Sequence, residues 1–317
     1  LTLASRLGRF FNYDGYYRFI YSKYIIITDT IEIYVIKIYT VSGQFFIHSP
    51  EEEDPMSRRG TVWSLETERR RIKEGRGSGE GSDYKPWITT HDFPSKDQVC
   101  RARGQTTGRI HHMMSSLERD LFLILDYDPA VTDIREQYPL ELRETLLIAA
   151  EAGIRHPEAN GWPNVMTSDF YYSKDGVWHA VAVKPSSELF SARVAEKLKI
   201  EQLYWEKKQV SWSIMTEKEI NRTRARNILW ITGGRSFEEL VPSDRQRALL
   251  EQAFLQCYND PGIPFPVLIR EMETALHLEN GTVIQMFKHL VQAGQITLDL
   301  DRMICLDDPR TGIQENT

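Results

Sequence analysis

At 317 residues the chain is long enough to bury two separate cores, and its 41% hydrophobic, 11% aromatic and 26% charged residues are ordinary for a globular protein. A net charge of −6 argues against a protein that coats nucleic acid by bulk positive charge, while leaving room for a local basic groove. Cys100, Cys257 and Cys305 stand too far apart for a CxxC pair, which argues against a disulfide framework or a cysteine zinc site and fits a reducing compartment.

Residues 1–55 look foreign to the rest. They are crowded with Ile, Tyr, Phe, Lys and Thr and contain no methionine. The run Tyr24 to Tyr39 approaches a membrane span in hydrophobicity, but Asp29, Glu32 and Lys37 interrupt it, at roughly 2.5–3.5 kcal/mol each at a bilayer centre. No small-residue cleavage site follows an uninterrupted apolar core, so a signal peptide is not expected either. Ile, Tyr, Phe, Lys and Asn have AT-rich codons, and Glu51-Glu52-Glu53 can be encoded as GAG-GAG-GAG, like a ribosome-binding site ahead of Met56. The expectation is that translation starts at Met56 and that 1–55 is a non-native upstream extension; a genuine β-rich extension is the alternative. No membrane partner is expected.

Beyond Met56 the chain is basic and glycine-punctuated. Glu66 to Lys73 reads as a short charged helix carrying Arg69, Arg70, Arg71 and Lys73. The alternating glycines of Gly75 to Gly81 follow no strand, so they predict a flexible loop over a phosphate backbone or a plain surface linker, and not a dinucleotide loop. Ser115 to Leu125 is a helix capped by serine, with acidic residues in its first turn. Val131 to Leu140 reads as a strand, Glu141 to Ala152 as a short helix and His156 to Pro163 as a loop. Val165 to Tyr172 and Val177 to Lys184 are two strands joined across Asp175-Gly176, a strong hairpin turn. A long helix over Ser187 to Lys208 and a strand over Val210 to Met215 complete the order helix, three strands, helix, strand, which is that of the restriction-endonuclease core.

After about Thr216 the pattern changes. Arg222, Arg224 and Arg226 open a stretch that reads as a linker to Gly234 and is a candidate grip on DNA. Helices follow at Ser243 to Tyr258, Pro266 to Ala275 and Thr282 to Ala293, with Gly294 as a cap. Gln295 to Leu298 and Met303 to Leu306 read as a small hairpin, giving helix, turn, helix and wing. The fold class is thus α/β, a mixed-sheet α+β core of restriction-endonuclease type followed by a winged-helix-like domain. The expected domains are 56–216, 217–307 and a disordered tail at 308–317.

Strand parity nominates a site. If Asp175-Gly176 is a two-residue turn, Lys174 pairs with Val177 and Asp169 faces Ala182. Lys184 then shares the face of Asp169, with Cα atoms roughly 7–8 Å apart. A charged pair on a buried sheet is costly unless partnered or bound to metal. Glu118, near the start of the preceding helix, can supply a second carboxylate. Carboxylates holding a divalent ion, with a lysine beside them, are what phosphodiester hydrolysis needs. A surface salt bridge on an exposed hairpin is the competing reading.

Several blocks resemble the TnsA family: Arg71-Ile72-Lys73-Glu74-Gly75-Arg76-Gly77, Asp83-Tyr84-Lys85-Pro86-Trp87, Gly108-Arg109-Ile110-His111-His112, Asp133 to Leu140, Met166 to Phe170, Val183-Lys184-Pro185 and Thr216 to Asn221. The likeness runs from about Met56 to Asn227, and fades beyond. TnsA is the endonuclease subunit of heteromeric TnsA–TnsB transposases. The resemblance implies that Glu118 and Asp169 bind Mg²⁺ (Mn²⁺ as a substitute) with the backbone carbonyl of Val183, and that Lys184 is the catalytic lysine. It implies cleavage of the 5′ strands at transposon ends, beside TnsB and the AAA+ regulator TnsC, in a bacterial cytoplasm. Glu201 matches another acidic position of the family; a solvated helix-face glutamate is its alternative. One departure stands out: the family places Gln where this chain has Ala182, so a side-chain ligand is lost.

Arg71, Lys73, Arg76 and Arg109 are the candidate DNA contacts, with Lys85, Arg101 and Arg103 along the same groove. His111-His112 reads as structural in preference to a DNA contact. The would-be recognition helix offers only Lys288 and His289, so protein docking is expected there in preference to base reading. Two rival functions remain open: a stand-alone nuclease of restriction or resolvase type, and a non-catalytic module binding DNA and TnsC.

Overall fold

The computed structural model describes residues 25–28, 33–41, 44–48, 64–92, 99–159, 161–260 and 262–307. Two compact units divide the chain, Leu1–Arg58 and Arg59–Thr317. In the first, β1 (Ile25–Thr28), β2 (Ile33–Val41) and β3 (Gln44–His48) form an antiparallel sheet in that order. The expected start at Met56 and the tail at 308–317 fall outside the described residues.

The second unit opens with α1 (Leu65–Lys73), whose N-cap Ser64 accepts from the Thr67 amide at 3.2 Å. The glycine loop after it is packed against the protein and is not a free arm. Gly77 has φ +77°, and a Cβ there would sit 2.3 Å from the Pro139 ring, so only glycine permits this approach. A hairpin that the sequence did not announce follows, β4 (Cys100–Arg103) with β5 (Ile110–Met113).

Next come α2 (Ser116–Tyr127), β6 (Val131–Pro139), α3 (Leu142–Glu151), the two-residue strands β7 (Glu158–Ala159) and β8 (Trp162–Pro163), β9 (Thr167–Lys174), β10 (Val177–Val183), α4 (Ala192–Lys207) and β11 (Ser211–Met215). The central sheet has the order β11-β10-β9-β6, with β10 and β11 parallel and the other pairs antiparallel. Asp175 and Gly176 both have positive φ, +51° and +74°, the conformation that matches strand twist in a two-residue turn. Lys174 accordingly pairs with Val177. Leu121, Phe122 and Leu125 of α2 close one side of the sheet over Ile134, Phe170 and Val181. Ile200, Tyr204 and Trp205 of α4 pack with Ala180 in the other core. The chain is therefore a mixed α/β protein. Between β10 and α4, Ser186–Phe190 forms a 3₁₀ turn where an uninterrupted helix was expected, because Ser186 is held by Glu217.

The expected linker is instead α5 (Arg222–Thr232). Asn221 caps it by accepting from the Arg224 amide at 3.0 Å, and Ala225, Ile228 and Ile231 form a buried face against α2 and the helices beyond. Then come α6 (Phe237–Leu240), α7 (Asp244–Tyr258), α8 (Phe265–Ala275) and α9 (Thr282–Gln292) around a core of Phe237, Phe254, Phe265, Phe287 and Leu290. The expected hairpin over Gln295–Leu298 and Met303–Leu306 does not form as strands among the described residues. A single bridge residue, Ile296, marks the first expected strand, while Asn227 of α5 donates to the carbonyls of Leu300 and Arg302 in the intervening turn at 2.9 and 2.6 Å and accepts from the Ile304 amide at 3.2 Å. No helix among the described residues is long and apolar enough to cross a membrane.

Candidate active site

Three elements converge on the site. Ser115 caps α2, accepting from the Glu118 amide at 3.1 Å and donating its hydroxyl proton to Glu118 Oε1 at 3.0 Å. The Met114 amide donates to Glu118 Oε2 at 2.8 Å. Local helix-capping chemistry thus aims the Glu118 carboxylate, which is 5% exposed. Asp169, near the start of β9, accepts at one oxygen, Oδ2, from the Val183 amide at 2.7 Å and the Lys184 ammonium at 2.8 Å. Lys184 Nζ also donates to the Val183 carbonyl at 2.9 Å. The two-residue turn sets the β9–β10 register from Val177–Lys174 to Val181–Phe170, and just beyond it Asp169 meets the Val183 amide and the Lys184 ammonium. The competing reading, a salt bridge on an exposed hairpin, does not describe a pair whose acid is 9% exposed.

The electrostatics are crowded. Burial, reinforced by the charge of Asp169, pushes the Glu118 carboxyl up to about 7. Burial works against the charged form of Lys184, but the Asp169 carboxylate more than offsets it and holds the ammonium well above the ordinary lysine range. Glu201, on α4, is buried too; burial and then Asp169 push it up to about 7. Its Oε1 accepts from Ser168 Oγ at 2.6 Å and Trp212 Nε1 at 3.0 Å, and Trp205 Nε1 donates to that Ser168 oxygen at 2.7 Å. Glu201 is thus no solvated helix-face residue.

A hard cation suits this chemistry. Two carboxylates and a backbone carbonyl are oxygen donors, and burial, with the charge of Asp169 behind it, already pushes Glu118 toward its neutral form. Among the described residues no three His, Cys, Asp or Glu side chains gather closely enough to hold a metal alone. Ala182 is buried and offers no donor, so the lost ligand is not replaced at that position.

The arginine candidates for DNA contact serve the fold instead. Arg71 is fully buried over the Trp87 ring, 5.7 Å from its centroid. Arg76 binds Glu74 at 2.7 Å and Asp92 at 2.6 Å. Arg109 grips both oxygens of Glu136, at 2.8 and 2.5 Å. Lys73 alone of the four is exposed. Glu136, which sequence reasoning passed over, also accepts from His111 Nδ1 at 2.8 Å and the His112 amide at 3.0 Å, anchoring the β4–β5 hairpin to the sheet. Burial would raise its carboxyl, but Arg109 and His111 bring it down to about 2. His111 is therefore structural. Of the junction arginines, Arg222 binds Asp120 of α2 at 3.1 Å and Arg224 binds Asp301 at 2.8 Å, while Arg226 is exposed.

Two acids and a lysine drawn together from a helix and the end of a β-hairpin are the equipment of a nuclease, an enzyme that must stabilise charge on a phosphodiester. A family model described as TnsA-like endonuclease N terminal matches residues 128–217, and another, TnsA endonuclease C terminal, matches residues 219–300. The Transposon Tn7 transposition protein TnsA of Escherichia coli is 38% identical over 234 residues, which are 73% of this chain and 85% of that protein. The chain belongs to the TnsA endonuclease family and is a DNA endonuclease.

Proposed function

We propose that this chain hydrolyses the 5′ strands at transposon ends, next to a TnsB-type transposase that cleaves and joins the 3′ strands and under a TnsC-type AAA+ regulator, in a bacterial cytoplasm. The observation that carries the catalytic part is the shared bonding of Asp169 Oδ2 to Lys184 and the Val183 amide, with Glu118 aimed into the same charge cluster. Similarity to a Tn7 transposition protein supports the biological setting.

In this reading Glu118, Asp169 and the Val183 carbonyl hold Mg²⁺, with Mn²⁺ as a substitute. When bound, the ion activates water and neutralises charge on the scissile phosphate. The chain's own residues do the rest. Asp169 keeps Lys184 protonated, so its ammonium is fitted to stabilise developing negative charge and to orient the attacking water, and not to act as a base. Ser115 and the Met114 amide fix the Glu118 carboxylate before substrate arrives. Lys73 and Arg226, both exposed, are the better candidates for phosphate contact, since Arg71, Arg76 and Arg109 are engaged internally.

The sheet and its flanking helices fit a restriction-endonuclease-like core over about 56–216. The helical region over 217–307 is proposed as a winged-helix-like docking domain in which α5 and the 295–307 segment take the place of a stranded wing. The meeting of the two family matches between 217 and 219 supports that division. Lys288 is buried with its ammonium on the Gly233 carbonyl at 3.1 Å, and His289 lies 3.1 Å from Glu238, which favours protein docking over base reading by α9. The test is a transposition reaction reconstituted with TnsB and TnsC and the Asp169→Ala chain. Loss of 5′-strand cleavage by at least about a hundredfold is expected. Unchanged cleavage of that strand overturns the reading, and nicking by the purified wild-type protein alone favours a stand-alone nuclease.

A further inference from the structure

Gln137 has a backbone its position does not predict. It lies inside β6, yet its φ is +48°, a left-handed conformation that L side chains adopt at a cost. The β6–β9 register pairs Glu136 with Phe170 and Tyr138 with Ser168, so the level between them belongs to Gln137 and Asp169. Regular alternation breaks at that level. Phe170 and Ile134 pack with α2, and Glu136 reaches the β5 histidine His111. On the far side of the break, the Tyr138 ring packs tilted against Trp205 of α4, 5.8 Å between ring centroids, and Ser168 receives the indole proton of the same tryptophan. Residues two apart on each strand thus face opposite sides, and both switches centre on the pair that includes Asp169. Irregularities of this kind re-aim a side chain out of the pleat.

The Gln137 side chain fills the place the switch makes. It is 4% exposed, and its Nε2 lies 3.4 Å from Asp169 Oδ1, the oxygen that neither Lys184 nor Val183 binds. Its Oε1 accepts from Thr167 Oγ1 at 3.0 Å. A carboxylate only accepts, so the amide must turn its NH₂ to Asp169 and its oxygen to Thr167, whose hydroxyl donates to it. The backbone carbonyl of Gln137 leaves the sheet as well and accepts from the Trp87 amide at 3.2 Å.

We infer that Gln137 is a positioning residue for the nuclease: its carboxamide, held by Thr167 and by a strained backbone, orients the Asp169 carboxylate from the side opposite Lys184. It acts through Asp169 and rests on the catalytic reading given above. Strain kept in a strand interior, where a regular backbone was available, is explained if the amide must reach this oxygen.

The full-length chain tests it in three forms: Gln137→Gly, Gln137→Glu and, as control, Asp169→Ala. Glycine tolerates φ +48°, so Gln137→Gly should melt no lower than wild type while losing the amide. Two readouts apply: kcat and KM for 5′-strand cleavage in the reconstituted reaction, and Mn²⁺ affinity of the free protein by titration calorimetry. Both Gln137 variants are expected to lose about tenfold or more in kcat and in Mn²⁺ affinity, with KM for DNA unchanged. The inference is overturned if Gln137→Gly cleaves and binds Mn²⁺ like wild type, or if losses merely follow a fall in melting temperature. If Asp169→Ala also cleaves like wild type, the catalytic reading itself has failed; if only Asp169→Ala is inactive, Gln137 alone is wrongly assigned.

Discussion

The sheet region and the helical region after Thr216 are stabilised in opposite ways. Arg71, His111, Glu118, Asp120, Asp133, Arg135, Glu136, Asp169 and Glu201 are all buried in the first, whereas Lys288 and Glu273 are the buried charged side chains of the second among the described residues. Its core is instead a cluster of phenylalanines, with Phe265 and Phe287 centroids 4.8 Å apart. Buried charge costs free energy unless partnered, and at Glu118 and Glu201 burial, then the charge of Asp169, outweighs the hydrogen bonds they accept, which is why both carboxyls sit near 7. The difference teaches where function lies. One region gathers its desolvated charge around the proposed site, and the other buries mainly apolar side chains.

The contrast is sharpest at two core positions of equal burial. Phe254→Ala, at 0% exposure, should cost about 3–5 kcal/mol in urea unfolding by opening a cavity. Glu136→Ala should cost a similar amount, about 3–5 kcal/mol, for a different reason: it strands Arg109 and His111 without their counter-charge. A Glu136→Ala cost below about 1 kcal/mol would remove buried charge pairing from the account of the sheet region.

Glu118→Gln should do the reverse of a normal core substitution. A carboxyl whose folded value is about 7, above the ordinary 4.5, contributes stability fully below pH 4.5 and loses it as pH rises through 7. At pH 8 and without metal the glutamine variant should therefore be more stable than wild type by about 1–3 kcal/mol, yet inactive. Near pH 4.5, where the folded carboxyl is protonated and about half of the unfolded carboxyls are too, the gain should largely vanish. Melting curves at the two pH values check this, and equal gains at both would show that charge is not the cause. Glu136 does not confuse the comparison, because its folded value of about 2 places its losses below pH 4.5, as the pH falls toward 2.

Smaller effects follow. Ser115→Ala should cost about 1 kcal/mol as a lost helix cap, but reduce cleavage further than that stability loss explains, since the same hydroxyl holds Glu118 Oε1. Cleavage that tracks stability alone would confine Ser115 to capping. Lys73→Ala should leave the melting temperature unchanged and lower the salt slope of DNA binding by about 1. An unchanged slope removes Lys73 from the phosphate contacts.

Much of this was legible in the residue order because the controlling interactions are local. Ser115 three residues before Glu118 specifies a cap, and Asp175-Gly176 specifies a tight turn whose register carries Asp169 close to Lys184. Where burial decides, the linear order was silent or misleading. Arginines 71, 76 and 109 read as a basic groove until their carboxylate and aromatic partners, distant in the chain, drew them inward. Arg222 to Thr232 read as a linker because a polar opening hid the face of Ala225, Ile228 and Ile231, which only the neighbouring helices reveal. Likewise, no spacing rule foretells that β6 and β9 both switch faces at Gln137 and Asp169. Capping, turn type and hairpin register are set within a few residues, so the sequence alone determined them. Which charges are buried, which partner neutralises each, and how Asp169 is aimed depend on segments far apart in the chain, and only their packing decided it.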